Sequence, residues 1–297
     1  MAWHVELPRA GAPRRIAPVI APIAPIPRRR PRGAAACRAA LAGGVWMLLA
    51  LLHPGMAESG RDSGADAPLP MVFEGLPFAA ALALPGPSAG RAPIAVVVVT
   101  HDHLGADTRA EPYAIQLLGA GIAVLDVQQA DAGAAMLDLA AHALAADSRF
   151  DPARIGLLAF GAGGIQAAET AMPFRALALF YPGCATVAGV LQAGAARNRT
   201  ATDILLAHGS DDAANPAHAC EATASLMRRQ GAGVRRVEYA GAGYAWDRPA
   251  FGLEGRSLLP RPDGQGRILA VPRPDLTSLS ATTVASFFAR ALRPPVQ

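Results

Sequence analysis

The chain has 297 residues, of which 52% are hydrophobic and 17% are charged. This composition suits a packed core and excludes an intrinsically disordered protein. The formal net charge of +4 is unevenly placed, because residues 1–57 contain eight Arg and a single Glu. The remaining residues hold 19 Arg and 22 acidic residues, so the folded part has no basic excess and no nucleic-acid partner is expected.

The N-terminal residues 1–57 are predicted to be a basic, Pro- and Arg-rich tail followed by a secretory signal. The apolar run 39–52 is shorter than the roughly 20 residues that span a bilayer, but it suits the apolar part of a signal peptide. Gly55 and Ala57 stand at the −3 and −1 positions of a cleavage site before Glu58. We therefore expect an exported protein, periplasmic or secreted, that meets the membrane only transiently. An uncleaved segment that anchors the chain in the membrane is the alternative.

Residues 58–69 are small and polar and predict a linker, which leaves residues 70–297 as a single domain. Cleavage of the signal would leave two cysteines, Cys184 and Cys220. An oxidising compartment permits a disulfide bond, but the spacing does not establish that the two Cα atoms are close enough. Two small buried thiols are the favoured expectation and a disulfide is the alternative.

The rest of the chain alternates between apolar strands and helices. The run IAVVVVT (94–100) has no polar alternation, which is typical of a strand buried on both faces of a parallel sheet. Alternating strands and helices predict an α/β fold, with a mostly parallel sheet covered by helices on both faces. Strands are predicted at residues 71–73, 78–84, 94–100, 122–127, 154–160, 176–181, 203–207 and 234–239, and helices at 111–119, 136–146, 164–171, 220–230 and 279–291.

Ligands of such folds bind at the carboxyl ends of the strands, so the loops there should carry any chemistry. The segment RIGLLAFGAGG (154–164) is a strand, a tight turn and a helix, which is the form of a nucleophile elbow, G-x-S-x-G. In this register Gly161 occupies the nucleophile position, and glycine has no side chain that could attack. A dinucleotide site is the rival interpretation, but Gln166 replaces its third glycine and no acid follows at 176–186. No cofactor is therefore predicted.

Two further loops resemble those that carry the acid and the base in the dienelactone hydrolase family. The loop DILLAHGSDDAANP (203–216) has the spacing G-x-x-D-x-x-x-P, and its resemblance to the acid loop of the family implies that Asp212 stands at the acid position beside a solvated Asp211. The loop VEYAGAGYAWDRP (237–249) resembles the family's base loop, which implies that Tyr244 stands where the family has histidine. Tyrosine has a reference pKa of about 10, so it is a poor general base near neutral pH, where histidine is suited.

The order elbow, acid, base, with these flanking residues and the segments DPARIGLLAF and LFYPGC, resembles the dienelactone hydrolase family of α/β-hydrolases. The resemblance covers about residues 72–292. It implies the α/β-hydrolase fold, with Asp212 as triad acid and with Gly161 and Tyr244 as degenerate nucleophile and base positions. It also implies an oxyanion region and a pocket formed by Ala162, Asp102, Phe160 and Trp246.

The loop after the first buried strand reads His101-Asp102-His103. If the carboxylate of Asp102 faces the pocket, it would oppose a developing oxyanion. No metal site is predicted, because adjacent residues rarely reach one ion and no third ligand has a suitable spacing. The other histidines considered are interpreted as structural or surface residues: His142, His208 and His218.

Without an oxygen or sulfur nucleophile and its base, nucleophilic hydrolysis is not expected. The favoured hypothesis is a catalytically degenerate protein that keeps a small pocket for a small-molecule ligand, which the sequence does not name. One alternative is an active ester or lactone hydrolase with relocated chemistry, for which Ser210, Thr100, Tyr244 and His101 are candidates. Another is an envelope protein that binds a protein partner.

Overall fold

The computed structural model describes residues 70–86, 93–130, 132–194, 202–250 and 255–294. Ten strands lie within these residues: β1 (Met71–Val72), β2 (Ala80–Ala83), β3 (Ile94–Thr100), β4 (Ala123–Val127), β5 (Phe150–Phe160), β6 (Ala176–Phe180), β7 (Asp203–Gly209), β8 (Gly233–Tyr239), β9 (Ser257–Pro260) and β10 (Arg267–Ala270). Six α-helices accompany them: α1 (Glu111–Gly119), α2 (Ala134–Ala146), α3 (Gly163–Glu169), α4 (Cys184–Gln192), α5 (Ala217–Arg229) and α6 (Pro274–Ala291).

Eight of the strands form one twisted sheet in the order β1-β2-β4-β3-β5-β6-β7-β8. The five pairs from β4 to β8 are parallel, whereas β1, β2 and β4 pair in antiparallel fashion at one edge. Strand β4 and the five strands that follow it in the sheet run in the same direction. Their carboxyl ends therefore lie at one edge of the sheet. The α/β class and the mostly parallel sheet expected from the sequence are therefore confirmed.

Helices cover both faces of the sheet. Val96 and Val98 of β3 point into a core shared with α2, α3, α4 and α5, whereas Val97 and Val99 point into a core shared with α1 and α6. Strand β3 is thus buried on both faces, which explains why its sequence has no polar alternation. Gly156 of β5 lets α6 pack closely on the sheet, because a Cβ there would lie 2.7 Å from the ring of Phe288 in α6.

Several elements differ from the sequence-based expectations. The third buried strand was expected at 154–160, but β5 starts four residues earlier, at Phe150. Helix α4 and the antiparallel hairpin of β9 and β10 were not predicted. Helix α4 has no polar face that would mark an amphipathic period, because most of its residues are small and apolar.

Cys184 at the start of α4 and Cys220 in α5 form a disulfide bond, with their Cα atoms 4.9 Å apart. The expectation of two free thiols is therefore wrong. The error arose because sequence spacing says nothing about the packing of α4 against α5, which brings residues 36 positions apart into contact. The bond ties together two helices that cover the same face of the sheet.

The predicted signal segment and linker, residues 1–69, lie outside the described residues. Among the residues that the structure does describe, none of the helices is long and apolar enough to cross a membrane.

Candidate functional site

The elbow between β5 and α3 has the tight geometry that its glycines predict. Gly161 adopts a left-handed conformation with φ +53°. A Cβ at Gly163 would lie 2.9 Å from the carbonyl oxygen of His101, and one at Gly164 would lie 2.3 Å from the Cβ of Pro182. Real Cβ atoms essentially never make such short contacts, so the flanking positions of this turn accept only glycine.

Tyr244 fills the space in which a nucleophile would stand. A Cβ built on Gly161 would lie 2.6 Å from the hydroxyl oxygen of Tyr244 and 3.0 Å from the Cβ of Asp102. The structure therefore brings the sequence-predicted nucleophile and base positions together. The base position contributes a phenol whose oxygen closes the tip of the elbow.

The environment of Tyr244 does not suit a proton acceptor. The side chain is 1% exposed, and its hydroxyl has no hydrogen-bond partner among the described residues. Burial raises the pKa of Tyr244 well above its ordinary value, and the nearby carboxylates of Asp102 and Asp212 raise it further. The hydroxyl thus stays protonated across the whole physiological range.

Asp212, at the predicted acid position, is buried in the loop between β7 and α5. One carboxylate oxygen accepts a hydrogen bond from the backbone N–H of Ala214 at 2.8 Å, and the other accepts one from the side-chain amide of Asn215 at 2.9 Å. Burial raises the pKa of Asp212 to about 6, although these hydrogen bonds act in the opposite direction. No hydrogen bond joins this carboxylate to the hydroxyl of Tyr244.

The acid loop and the base loop are held together by their backbones. The N–H of Ser210 donates to the carbonyl of Tyr239 at 3.0 Å, and the N–H of Asp211 donates to the carbonyl of Ala242 at 2.9 Å. A Cβ on Gly209 would lie 2.0 Å from the carbonyl oxygen of Ala242, so only glycine permits this approach. The side chain of Asp211 is exposed, as expected.

Asp102 lies beside the elbow, as expected, but its charge does not stand alone. Arg109 is fully buried and donates to Asp102 at 2.9 Å and to Asp107 at 2.8 Å. The carboxylate of Asp102 is thus paired with a cation beside the elbow, which weakens any opposition of its charge to an oxyanion there. Sequence reasoning missed Arg109 because arginine is rarely buried and no motif surrounds it.

A second buried carboxylate, Asp247, extends this polar network. Arg109 donates to the hydroxyl of Tyr181 at 3.3 Å, and Tyr181 in turn donates to Asp247 at 2.5 Å. Tyr113 also donates to Asp247, at 2.7 Å, and contacts Ser280 at 2.8 Å. Burial raises the pKa of Asp247. The sequence indicated Asp247 only as a flank of the base loop, because its two hydrogen-bond partners come from distant segments.

Phe160 and Trp246 do not line an open cavity, contrary to expectation. Both side chains have no accessible surface, so no space large enough for water adjoins them. They belong to an aromatic cluster in which the ring centre of Tyr181 lies 5.0 Å from that of Tyr244 and 5.1 Å from that of Trp246. Aromatic side chains thus occupy the interior below the elbow.

An open cleft lies on the other side of Tyr244. It has a volume of about 500 Å³. Its walls come from the acid loop, the base loop and the region around β10: Asp211, Ala213, Gly241, Gly243, Ile268 and Arg273 line it together with Tyr244. Tyr244 therefore stands between this cleft and Gly161.

The groups considered for relocated chemistry are not assembled into a catalytic pair. The hydroxyl of Ser210 donates to Asp211 at 2.8 Å and accepts from the N–H of Gly241 at 2.8 Å, so neither partner is a base of the histidine type. The Thr100 hydroxyl is buried and has no hydrogen-bond partner among the described residues. The ring of His101 contacts Asp126 at 2.6 Å, on the neighbouring strand.

The three other histidines considered in the sequence, His142, His208 and His218, differ in burial. His142 and His218 are exposed, and His208 is buried with its ring 2.6 Å from the guanidinium of Arg236. Within the described ranges, no group of three or more His, Cys, Asp or Glu side chains could hold a metal ion.

Solved structures of several hydrolases share this architecture. A dienelactone hydrolase-like promiscuous phosphotriesterase from metagenomic libraries is 20% identical, with a TM-score of 0.53 over 72% of this chain and 93% of that chain. Dienelactone hydrolase from Anabaena variabilis is 15% identical, with a TM-score of 0.53 over 76% of this chain and 100% of that chain. Est1E from Butyrivibrio proteoclasticus is 14% identical, with a TM-score of 0.52 over 76% and 98% of the two chains.

No protein-family model matches the chain, and comparison with curated protein sequences finds no match. At these identities the structural similarity defines the fold alone. The chain has the α/β-hydrolase fold, and its structural neighbours include dienelactone hydrolases and related proteins.

Proposed function

We propose that this chain is an α/β-hydrolase-fold protein that has lost nucleophilic hydrolysis and binds a small molecule in the cleft beside Tyr244. The observation that carries the proposal is the hydroxyl of Tyr244, 2.6 Å from the position of a Cβ on Gly161. A hydrolase of this fold needs an oxygen or sulfur nucleophile at that point and a base in reach of it. In this chain the hydroxyl of Tyr244 occupies that position, and it serves neither as a nucleophile nor as a base.

The remaining parts of the triad support this interpretation. Asp212 accepts hydrogen bonds from its own loop and none from Tyr244, so it has no base to orient. Burial holds the hydroxyl of Tyr244 in its protonated form. A protonated phenol cannot accept the proton of an attacking group.

The cleft supports the binding part of the proposal. Its volume of about 500 Å³ lies within the range of small-molecule sites, and its walls combine Ile268 with the charged side chains of Asp211 and Arg273. We propose short esters, lactones and the acids that their hydrolysis gives as the first ligands to test. Titration of a labelled protein with short esters, lactones and their acids should move the NMR signals of Gly241, Gly243 and Ile268. If no compound perturbs these residues, the binding proposal is wrong.

Reconstruction of the triad tests the catalytic part. The wild-type protein, Gly161→Ser alone and Tyr244→His alone should all fail to turn over p-nitrophenyl acetate above the uncatalysed rate. The double variant should hydrolyse it, and Asp212→Asn in that background should lower the activity again. Ester turnover by the wild-type protein that survives Asp212→Asn would instead favour relocated chemistry.

We also propose that the protein is exported and cleaved before Glu58. The disulfide between Cys184 and Cys220 supports an oxidising compartment, because such bonds are rare where thiols are kept reduced. Mass spectrometry of the protein from the cell envelope or medium should give an N-terminus at Glu58. An intact N-terminal segment would instead favour a retained anchor.

A further inference from the structure

A second cavity lies away from the elbow, between helix α1 and strands β2 and β4. Its volume is about 580 Å³. Ile115 at its margin is 54% exposed, so part of this apolar surface faces solvent. The walls are mainly aliphatic, with Ala81 and Ala83 from β2, Val124 from β4, and Ala114, Ile115 and Leu118 from α1.

The charged groups in the walls of this cavity are all acidic. They are Asp107, Glu111 and Asp126, and no arginine lines the cavity. Asp107 is compensated, because Arg109 lies 2.8 Å and Arg248 lies 2.9 Å from the same carboxylate oxygen. Among the described residues, neither of the other two acids forms an ion pair with an arginine.

Asp126 stands where the aliphatic and acidic parts of the cavity meet. It pairs in register with Ala81 of β2, on the sheet face that α1 covers. Oxygen Oδ1 contacts Nε2 of His101 at 2.6 Å, and the side chain remains 23% exposed. Oxygen Oδ2 accepts no hydrogen bond from any residue that the structure describes. One oxygen is thus held in place by the protein, and the other is left for a donor that enters the cavity.

We propose that this cavity binds an amphipathic amine, with the ammonium group on Asp126 and Glu111 and an aliphatic tail between α1 and β2. A primary ammonium supplies hydrogen-bond donors and the positive charge that the acidic rim lacks. The tail would cover Ala81, Ala114 and Ile115. This site does not depend on the chemistry of the elbow, so its test is independent of the test of the proposed function.

Octylammonium is the probe that tests the proposal in the full-length protein. Isothermal titration calorimetry at pH 7 should show saturable binding. The pKa of an alkylamine lies well above 7, so the probe carries its positive charge at this pH. Octanoate has the same tail with the opposite charge, octanol has the tail alone, and methylammonium has the charge alone. Each of these three should bind at least about tenfold more weakly, since a charged hydrogen bond and the buried tail both contribute.

Two variants locate the probe. Asp126→Asn keeps the shape of the side chain but removes its charge, and it should weaken octylammonium at least about tenfold. Ala114→Leu should fill the cavity and abolish binding, whereas Ala135→Leu on the exposed side of α2 is its matched control. The proposal fails if octylammonium does not bind saturably, if octanol or octanoate binds equally well, or if Asp126→Asn leaves the affinity unchanged. Binding that persists in Ala114→Leu also overturns it, because the ligand must then occupy another surface.

Discussion

The hydroxyl of Tyr244 occupies the space that a side chain at position 161 would need. A Cβ at position 161 would lie 2.6 Å from that hydroxyl oxygen, whereas ordinary van der Waals contact begins at about 3.4 Å. The residue at the nucleophile position and the residue at the base position are therefore coupled sterically. The effect of a substitution at one of these positions therefore depends on the residue at the other.

Gly161→Ala should lower the free energy of unfolding by about 2–4 kcal/mol, from left-handed backbone strain plus the clash with the hydroxyl. In a Tyr244→Phe background, which removes the shortest contact, the cost should fall to about 1–2 kcal/mol. Chemical denaturation of the four proteins measures this coupling. Gly241→Ala is the matched control, because its φ is +67° and its Cβ would meet only Arg273, at 3.4 Å. Equal costs in both backgrounds would contradict the steric model.

The buried carboxyl of Asp212 should make stability depend on pH. Its pKa is about 6 in the folded protein against an ordinary value of 3.8, so between about pH 4 and pH 6 the folded state holds a proton that the unfolded state has released. The contribution of Asp212 to the free energy of unfolding should therefore fall by about 3 kcal/mol as pH rises through this window and then stay level.

Denaturation of the wild type and of Asp212→Asn across pH 4–7 isolates that contribution, because the difference between the two curves should change by this amount. Asp211→Asn changes the exposed neighbouring carboxylate and serves as the control. A constant difference between wild type and Asp212→Asn at all pH values would show that the folded environment does not raise the pKa of Asp212.

Arg109→Met should destabilise the protein by about 3–5 kcal/mol, because it leaves the buried carboxylate of Asp102 without its cation. Arg228→Met is the control, since its ion pair with Glu221 is about half exposed and should contribute no more than about 1 kcal/mol. Urea denaturation of both variants makes the comparison. If both variants lose only about as much unfolding free energy as the control is expected to lose, water must replace Arg109 around Asp102.

Replacing both Cys184 and Cys220 with Ala should lower the free energy of unfolding by about 4 kcal/mol, because the bond closes a loop with a sequence separation of 36 residues. A reducing agent should destabilise the wild type and leave the double variant unchanged. Thermal denaturation with and without reductant measures both effects. If reductant has no effect on the wild type, the bond is absent in the purified protein.

The buried strands were predictable because continuous β-branched and aliphatic runs admit few other interpretations, as in 94–100. The three positions of the site were predictable because the elbow and its loops have fixed spacings around Gly161 and Asp212. Arg109 was not predictable, since its burial depends on partners in distant segments. The occupation of the elbow by the Tyr244 hydroxyl was also beyond sequence reasoning, because a spacing identifies a position but not the direction of a side chain.

The crowding at the elbow also bears on any gain of hydrolysis. A serine at position 161 would collide with the Tyr244 hydroxyl, so position 244 must change before position 161 or together with it. A change at position 244 alone leaves Gly161 without a nucleophile. If the chain lacks hydrolysis, as we propose, neither single replacement restores it, and both positions must change together.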